Sequence, residues 1–323
     1  MKIKGSLYGI ISGFMWALDT VLIGIVLSRS VFVSSEYVIL IAPLISTFLH
    51  DLLSSVWVAL YLLFRGELKD ALASIKTKSG KFVLLGGLLG GPVGMTSYIL
   101  AIKYLGSSYA APFSAIYPAV GALFAFILLR DRLAPRNWLG LITSIFFIFL
   151  LGYTGEGEIA SGNYLLGILF ILLCISGWGM ESTIVAYGMK DNKITPDQSL
   201  LLRQMVSAFT YGFIILPFIK DGYSLAYEAV IGKELLFILF IAFAGSVSYL
   251  CYYKAIDAIG PTRAMGLNIS YSAWAIILGF FIVGSPMTFK MLFFSIMIII
   301  GSVMTVADPE EFSFKKLLSK KTI

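Results

Sequence analysis

A chain of 323 residues in which 59% are hydrophobic and 13% charged, with a mean hydropathy of +0.91, does not read as a water-soluble domain; it reads as a polytopic membrane protein. The net charge of +6 is spread over short connections and tails rather than gathered in a patch, which argues against a nucleic-acid surface. Cys174, Cys251 and the single His50 all fall in apolar runs, so no disulfide, metal site or cofactor is expected.

Lys2-Ile3-Lys4 opens an apolar stretch that runs on to about Leu27 without a small-residue cleavage pattern, so it reads as a retained first helix rather than a signal peptide. Runs of spanning length recur near 5–28, 36–64, 81–104, 107–130, 136–154, 163–188, 196–219, 234–257, 261–284 and 287–306, ten in all. Basic residues alternate along the connections. They cluster at Lys2 and Lys4, between Arg65 and Lys81, around Arg130, Arg132 and Arg136, at Lys190 and Lys193, and from Lys315 to Lys321. The connection around Glu156 and Glu158 has none. This alternation predicts both termini in the cytoplasm.

The first span holds Ile11-Ser12-Gly13 and then Trp16-Ala17-Leu18-Asp19-Thr20. The sixth holds Ile175-Ser176-Gly177 with Trp178-Gly179-Met180-Glu181-Ser182, so each half carries a tryptophan three residues before an acid. The third and fourth spans contain Ala101-Ile102-Lys103-Tyr104-Leu105-Gly106 and Ser114-Ala115-Ile116-Tyr117-Pro118. The eighth and ninth contain Ala255-Ile256-Asp257-Ala258-Ile259-Gly260 and Asn268-Ile269-Ser270-Tyr271-Ser272. Ala101 and Ala255, Gly106 and Gly260, and Tyr117 and Tyr271 are each 154 apart, and the same offset pairs Tyr98 with Tyr252. Five spans repeated once is an odd number, so the second copy must insert upside down, an arrangement that encloses a midplane site in transporters. The expectation is an all-α fold of ten transmembrane helices in two inverted five-helix repeats, 1–155 and 156–307, followed by a basic cytoplasmic tail, 308–323. Glycines 86, 87, 90, 91 and 94 of the third span suit close helix contact in lipid, and Pro118 predicts a kink beside Tyr117.

An ionisable side chain in mid-span costs roughly 2.5–3.5 kcal/mol or more, which marks Asp19 and Glu181 as functional candidates. Trp16 and Trp178 lie on the same helical faces as these acids. A quaternary ammonium has no hydrogen to donate, so ring faces and negative charge are what can hold it, at about 0.5–2 kcal/mol per face. Trp16, Trp178, Trp274, Tyr98, Tyr117, Tyr249, Tyr252 and Tyr271 supply such faces, with Asn268, Tyr271 and Trp274 sharing one side of a helix by their three-residue spacing. Trp138, Tyr153, Tyr164 and Tyr223, near span ends, read instead as interfacial belt residues. Asp19 and Glu181 each have three open roles: countercharge to a cation, proton carrier, or structural partner of Arg203 or His50. His50-Asp51 and Arg203-Gln204 read first as structural pairs, with gating as the other reading. Lys103 and Lys254 read as snorkelling to the interface.

These paired blocks resemble the drug/metabolite transporter superfamily of the EamA type, built from two inverted five-helix repeats, over nearly the whole chain. More narrowly, Gly91-Pro92-Val93-Gly94-Met95, Lys103-Tyr104-Leu105-Gly106-Ser107-Ser108, Trp178-Gly179-Met180-Glu181-Ser182, Leu202-Arg203-Gln204 and Gly266-Leu267-Asn268-Ile269-Ser270-Tyr271 resemble LicB-type bacterial choline permeases. That resemblance implies an aromatic box of Trp16, Trp178, Tyr252 or Tyr271, and Trp274, with Glu181 as acidic partner. Glu181 is selected by both the repeat and the resemblance, and is expected to carry a coupling proton. Asp19 departs from the family pattern. The implied protein imports choline or a related quaternary amine through a bacterial cytoplasmic membrane, proton-coupled, as a monomer or homodimer. An exporter of amino acids or cationic drugs on the same scaffold is the second reading. An enzyme has no support, since no nucleophile–base set or phosphate loop is present.

Overall fold

Each apolar run folds as a helix because a spanning backbone must satisfy its hydrogen bonds internally. The computed structural model describes residues 2–152, 163–191, 193–232 and 234–306, and among them there is no strand. Helix α1 is Lys2–Leu27 and α2 is Glu36–Phe64, the latter opened by Ser35, whose Oγ accepts from the Val38 amide. Helix α3 runs from Lys78–Leu88 through a widened π turn, Leu89–Met95, into Thr96–Leu105. Helix α4 is broken into Ser107–Ser114 and Tyr117–Leu129, with Pro118 in the first turn of the second piece. Helices α5, Pro135–Gly152, and α6, Tyr164–Met189, follow. A capping box of Thr195 and Gln198 starts α7, Pro196–Phe218. Helix α8 is Leu235–Ile259, α9 is Pro261–Asn268 continued by Tyr271–Val283, and α10 is Phe289–Met304.

Eight of these are long and apolar enough to cross a membrane. The spans predicted at 107–130 and 287–306 are shorter apolar helices, Tyr117–Leu129 and Phe289–Met304. In the first, the chain turns at Ala115–Ile116 ahead of Pro118, which cannot donate a backbone bond. In the second, Thr288 starts the helix late by capping the Met291 amide. The predicted tail and the connection holding Tyr153, Glu156 and Glu158 lie outside the described residues.

The two-repeat architecture is written in the backbone. Gly106 and Gly260, 154 apart, end α3 and α8 at φ values of 83° and 86°, a left-handed turn that a Cβ would oppose. Helix α1 packs on α8, and α6 in the same way on α3. The pair α1–α9 is matched by α6–α4, and α2–α8 by α7–α3. The contacts α2–α7, α4–α9 and α5–α10 join equivalent helices. Each of these contacts therefore has a mate with the roles exchanged or joins a helix to its own equivalent, which places the shared interior between α1, α2, α3, α6, α7 and α8. Outside it, Phe64, Leu165, Phe213, Phe218 and Phe281 face outward, as lipid-facing positions should.

Candidate functional site

The interior holds a cavity of about 330 Å³. Its walls come from α1, α2, α3, α4, α6, α7, α8 and α9, so residues far apart in sequence meet there. Trp16, Asp19, His50, Asp51, Tyr98, Tyr117, Trp178, Glu181, Arg203, Tyr252, Asn268 and Tyr271 all line it. Trp274 does not; its ring packs edge-on against Phe14 of α1 at 5.7 Å, with Phe14 itself 38% exposed.

The aromatic walls repeat. Trp178 of α6 stands edge-on to Tyr117 of α4 at 5.8 Å, and Trp16 of α1 stands edge-on to Tyr271 of α9 at 6.2 Å, the same indole–phenol pair built by exchanged halves. Tyr98 lies 5.4 Å from Trp178, and Tyr249 lies 4.9 Å from Trp16. Such pairs hold each other's orientation and leave the remaining ring surfaces toward the cavity. Their polar ends are tied down. Tyr117 donates to Asn268 Oδ1, Asn268 Nδ2 donates to Ser12 Oγ at 2.8 Å, and Tyr252 and Ser182 share a bond of 2.6 Å.

Between these walls runs a line of charge. Asp19 Oδ1 faces His50 Nε2 at 3.3 Å, and His50 Nδ1 meets Asp51 Oδ1 at 3.0 Å. Arg203 reaches both Asp51 Oδ2 and Glu181 Oε1 at 2.9 Å. Arg203 also donates to Gln204 Oε1 and the Tyr249 hydroxyl, and Tyr253 donates to Glu181 Oε1 at 3.2 Å. Charges this deep must be paired, because desolvation otherwise exceeds what they gain. Here three carboxylates share one guanidinium and one imidazole, so with the acids ionised at least one negative charge is left over even when His50 is protonated. Glu181 both pairs with Arg203 and lines the cavity. Its steady cation, Arg203, is what distinguishes it from Asp19.

The π turn of α3 makes room for this line. At Gly90 a Cβ would lie 1.5 Å from Glu181 Oε2, so the carboxylate occupies the space of the missing side chain. Gly90→Ala is expected to cost about 1–3 kcal/mol through displacement of that carboxylate. Gly24→Ala, where an added methyl meets nothing within 4 Å, serves as the matched control in a thermal melt. Equal melts for the two variants would refute the displacement.

Sequence reasoning missed Tyr253 and Ser246 and gave no site role to Ser12 or Ser54. Ser12 sits in the Ile-Ser-Gly motif and had a signal. Ser54 and Ser246 meet at 2.7 Å across α2 and α8, and Gln204 Nε2 donates to Ser54 Oγ at 2.8 Å; no periodic pattern within either helix announces this meeting. At one end of the bundle Asp197 joins Arg65, Lys254 and Tyr61 at 2.9, 3.1 and 3.2 Å, so Lys254 is an ion-pair partner rather than simply a snorkelling side chain.

Residues 3–153 and 165–307 each match the EamA-like transporter family. The chain belongs to that family. This EamA-like transporter is 31% identical over 305 residues to Protein LicB of Haemophilus influenzae, covering 94% of this chain and 97% of that one. A solved crystal structure of a protein matches with a TM-score of 0.65 at 15% identity, over 93% of this chain and 97% of the other, a likeness of fold. The EamA-like transporter is thus a multi-pass membrane protein whose halves enclose the cavity just described.

Proposed function

We propose that the protein imports choline or a closely related quaternary ammonium cation across a bacterial cytoplasmic membrane, coupled to protons, by alternating access around the central cavity. The observation that carries this reading is the union, in one cavity, of two repeat-related aromatic walls with an excess of buried carboxylate. Rings attract a cation without needing a hydrogen from it, and the unbalanced carboxylates reward positive charge in a medium of low dielectric. A volume of about 330 Å³ suits a small organic molecule.

With the amino terminus in the cytoplasm and the second repeat inverted, the membrane sides follow. The cavity extends along the last turns of α1 and the first of α2, at Ile23, Leu27 and Pro43, which would be its outward mouth. The cluster of Asp197, Arg65 and Lys254 would then close the cytoplasmic end. The zwitterion reading loses its anchor, because Arg203, the deep cation available for a substrate carboxylate, is already shared by Asp51 and Glu181.

Binding of choline, betaine, arginine and threonine to the detergent-solubilised protein, followed as ligand-dependent thermal stabilisation, tests the reading. The decisive control is the carbon isostere of choline, in which tert-butyl replaces trimethylammonium at the same shape and no charge. Choline is expected to raise the melt and the isostere to leave it unchanged. Stabilisation by an amino acid without choline, or by both isosteres equally, would refute it.

A further inference from the structure

His50 is the single histidine of the chain and is 8% exposed, set between two carboxylates. Asp51 is held by Arg203 as an ionised acceptor, so the 3.0 Å contact to it requires the hydrogen on Nδ1. Nε2 is then left facing Asp19 Oδ1 at 3.3 Å. Asp19 is 4% exposed, and both of these atoms are buried without an aligned hydrogen bond. With a neutral imidazole, a lone pair faces a carboxylate. Buried polar atoms left in that state destabilise the fold, and one proton on Nε2 would satisfy both. Gly245 of α8 keeps the place open, since a Cβ there would lie 2.0 Å from Nε2.

Charge counting leads to the same place. The imidazole meets Asp19 from α1 and Asp51 from its own helix; Arg203 from α7 lies beyond Asp51, and holds Glu181 from α6 and the Tyr249 hydroxyl from α8 in turn. With His50 neutral, three carboxylates stand against one guanidinium, a net charge of −2. An organic cation alone, or a proton alone, leaves −1. The two together leave none, and a site without net charge avoids the cost of carrying one through the bilayer midplane.

We infer that Nε2 of His50, facing Asp19, is the coupling-proton site, and that one proton and one organic cation fill the cavity together. This rests on the import of a cation proposed above and relocates the proton: Glu181 stays ionised as the partner of Arg203, and the acid of the other Trp-x-x-acid block works with the imidazole. The proton arrives from water on the outward side, binds Nε2, and leaves to water on the other side; no other bond changes.

The protein in liposomes, given radiolabelled choline and a set membrane potential, reports the charge moved per choline through its reversal potential. About two charges per choline are expected for the native protein and about one for His50→Gln. That ratio is independent of how much of a variant is correctly folded. One charge in the native protein, or two in His50→Gln, overturns the proposal. A second measurement needs no substrate. Isotope-labelled histidine in the untagged protein gives one imidazole signal, expected to show a hydrogen on Nε2 and to move in Asp19→Asn. A signal that Asp19→Asn leaves unchanged overturns the proton site. Native liposomes that take up no choline while the imidazole behaves as expected would instead overturn the choline reading and leave the proton site standing.

Discussion

Arg203→Met is expected to destabilise the protein by about 3–5 kcal/mol, because it leaves buried carboxylates without their cation. Arg203 is 3% exposed and holds Asp51 through Nη1 and Glu181 through Nε, while Nη2 serves Tyr249. Its planar fork is what lets one side chain bind two acids from two different helices. Arg203→Lys keeps the charge but can satisfy only one acid at a time, so an intermediate loss is expected. Adding Glu181→Gln and Asp51→Asn to Arg203→Met removes the orphaned charges and should recover part of the loss, the signature of a charge network as opposed to simple packing. Thermal or denaturant unfolding in detergent, followed by intrinsic fluorescence, measures all three. An Arg203→Met protein that unfolds with the native one would show that the line of charge does not hold the interior together.

Much of this interior was legible in the sequence because the repeat constrains it twice. Trp16 with Asp19 and Trp178 with Glu181 announce one another, as do Tyr117 and Tyr271, and all of these line the cavity. Helix ends were legible where the backbone demands a residue type, as at Gly106 and Gly260. Trp274 was misplaced for a geometric reason. Three residues along a helix turn about 60° short of a full circle and rise about 4.5 Å, which carries Trp274 past the cavity to Phe14 although Tyr271 faces in. The lengths of α4 and α10 escaped because hydropathy records where a run is apolar and not where the backbone turns within it. The meeting of Asp19 with His50 was not legible either. It joins α1 to α2 across the interior, and tertiary pairing of single residues leaves no periodic trace in either helix.

When His50 is neutral, two charges of the carboxylate line have no cation, and charge alone would attract any cation; in the proposed function the aromatic walls would be what selects a methylated one. A small metal or ammonium ion could be held by carboxylates alone, but a methylated nitrogen keeps them at a distance and must be reached by polarisable surface. In the proposed function the rings and the acids would therefore divide the work: charge would draw the cation in, and ring faces would set which cation stays.

That division predicts the largest effect on binding. Trp178→Ala is expected to weaken choline binding about 30-fold, the equivalent of about 2 kcal/mol for a desolvated ring face. Trp16→Ala should cost a similar amount, since each indole is braced by two phenols, Trp178 by Tyr98 and Tyr117, Trp16 by Tyr249 and Tyr271. If both faces contact one cation from opposite walls, the double variant loses about the product of the two, roughly 1000-fold. Phenylalanine at either position restores a weaker face and should recover part of the affinity, because indole is the better cation partner. Titration of choline against each variant, with its thermal melt recorded in parallel, separates this from loss of packing. A ring that only fills space lowers the melt and leaves the affinity of the folded fraction unchanged. A ring that holds the substrate changes the affinity, and Trp→Phe restores it. Unchanged affinity in both alanine variants would mean that the cation sits elsewhere and that the aromatic walls are core.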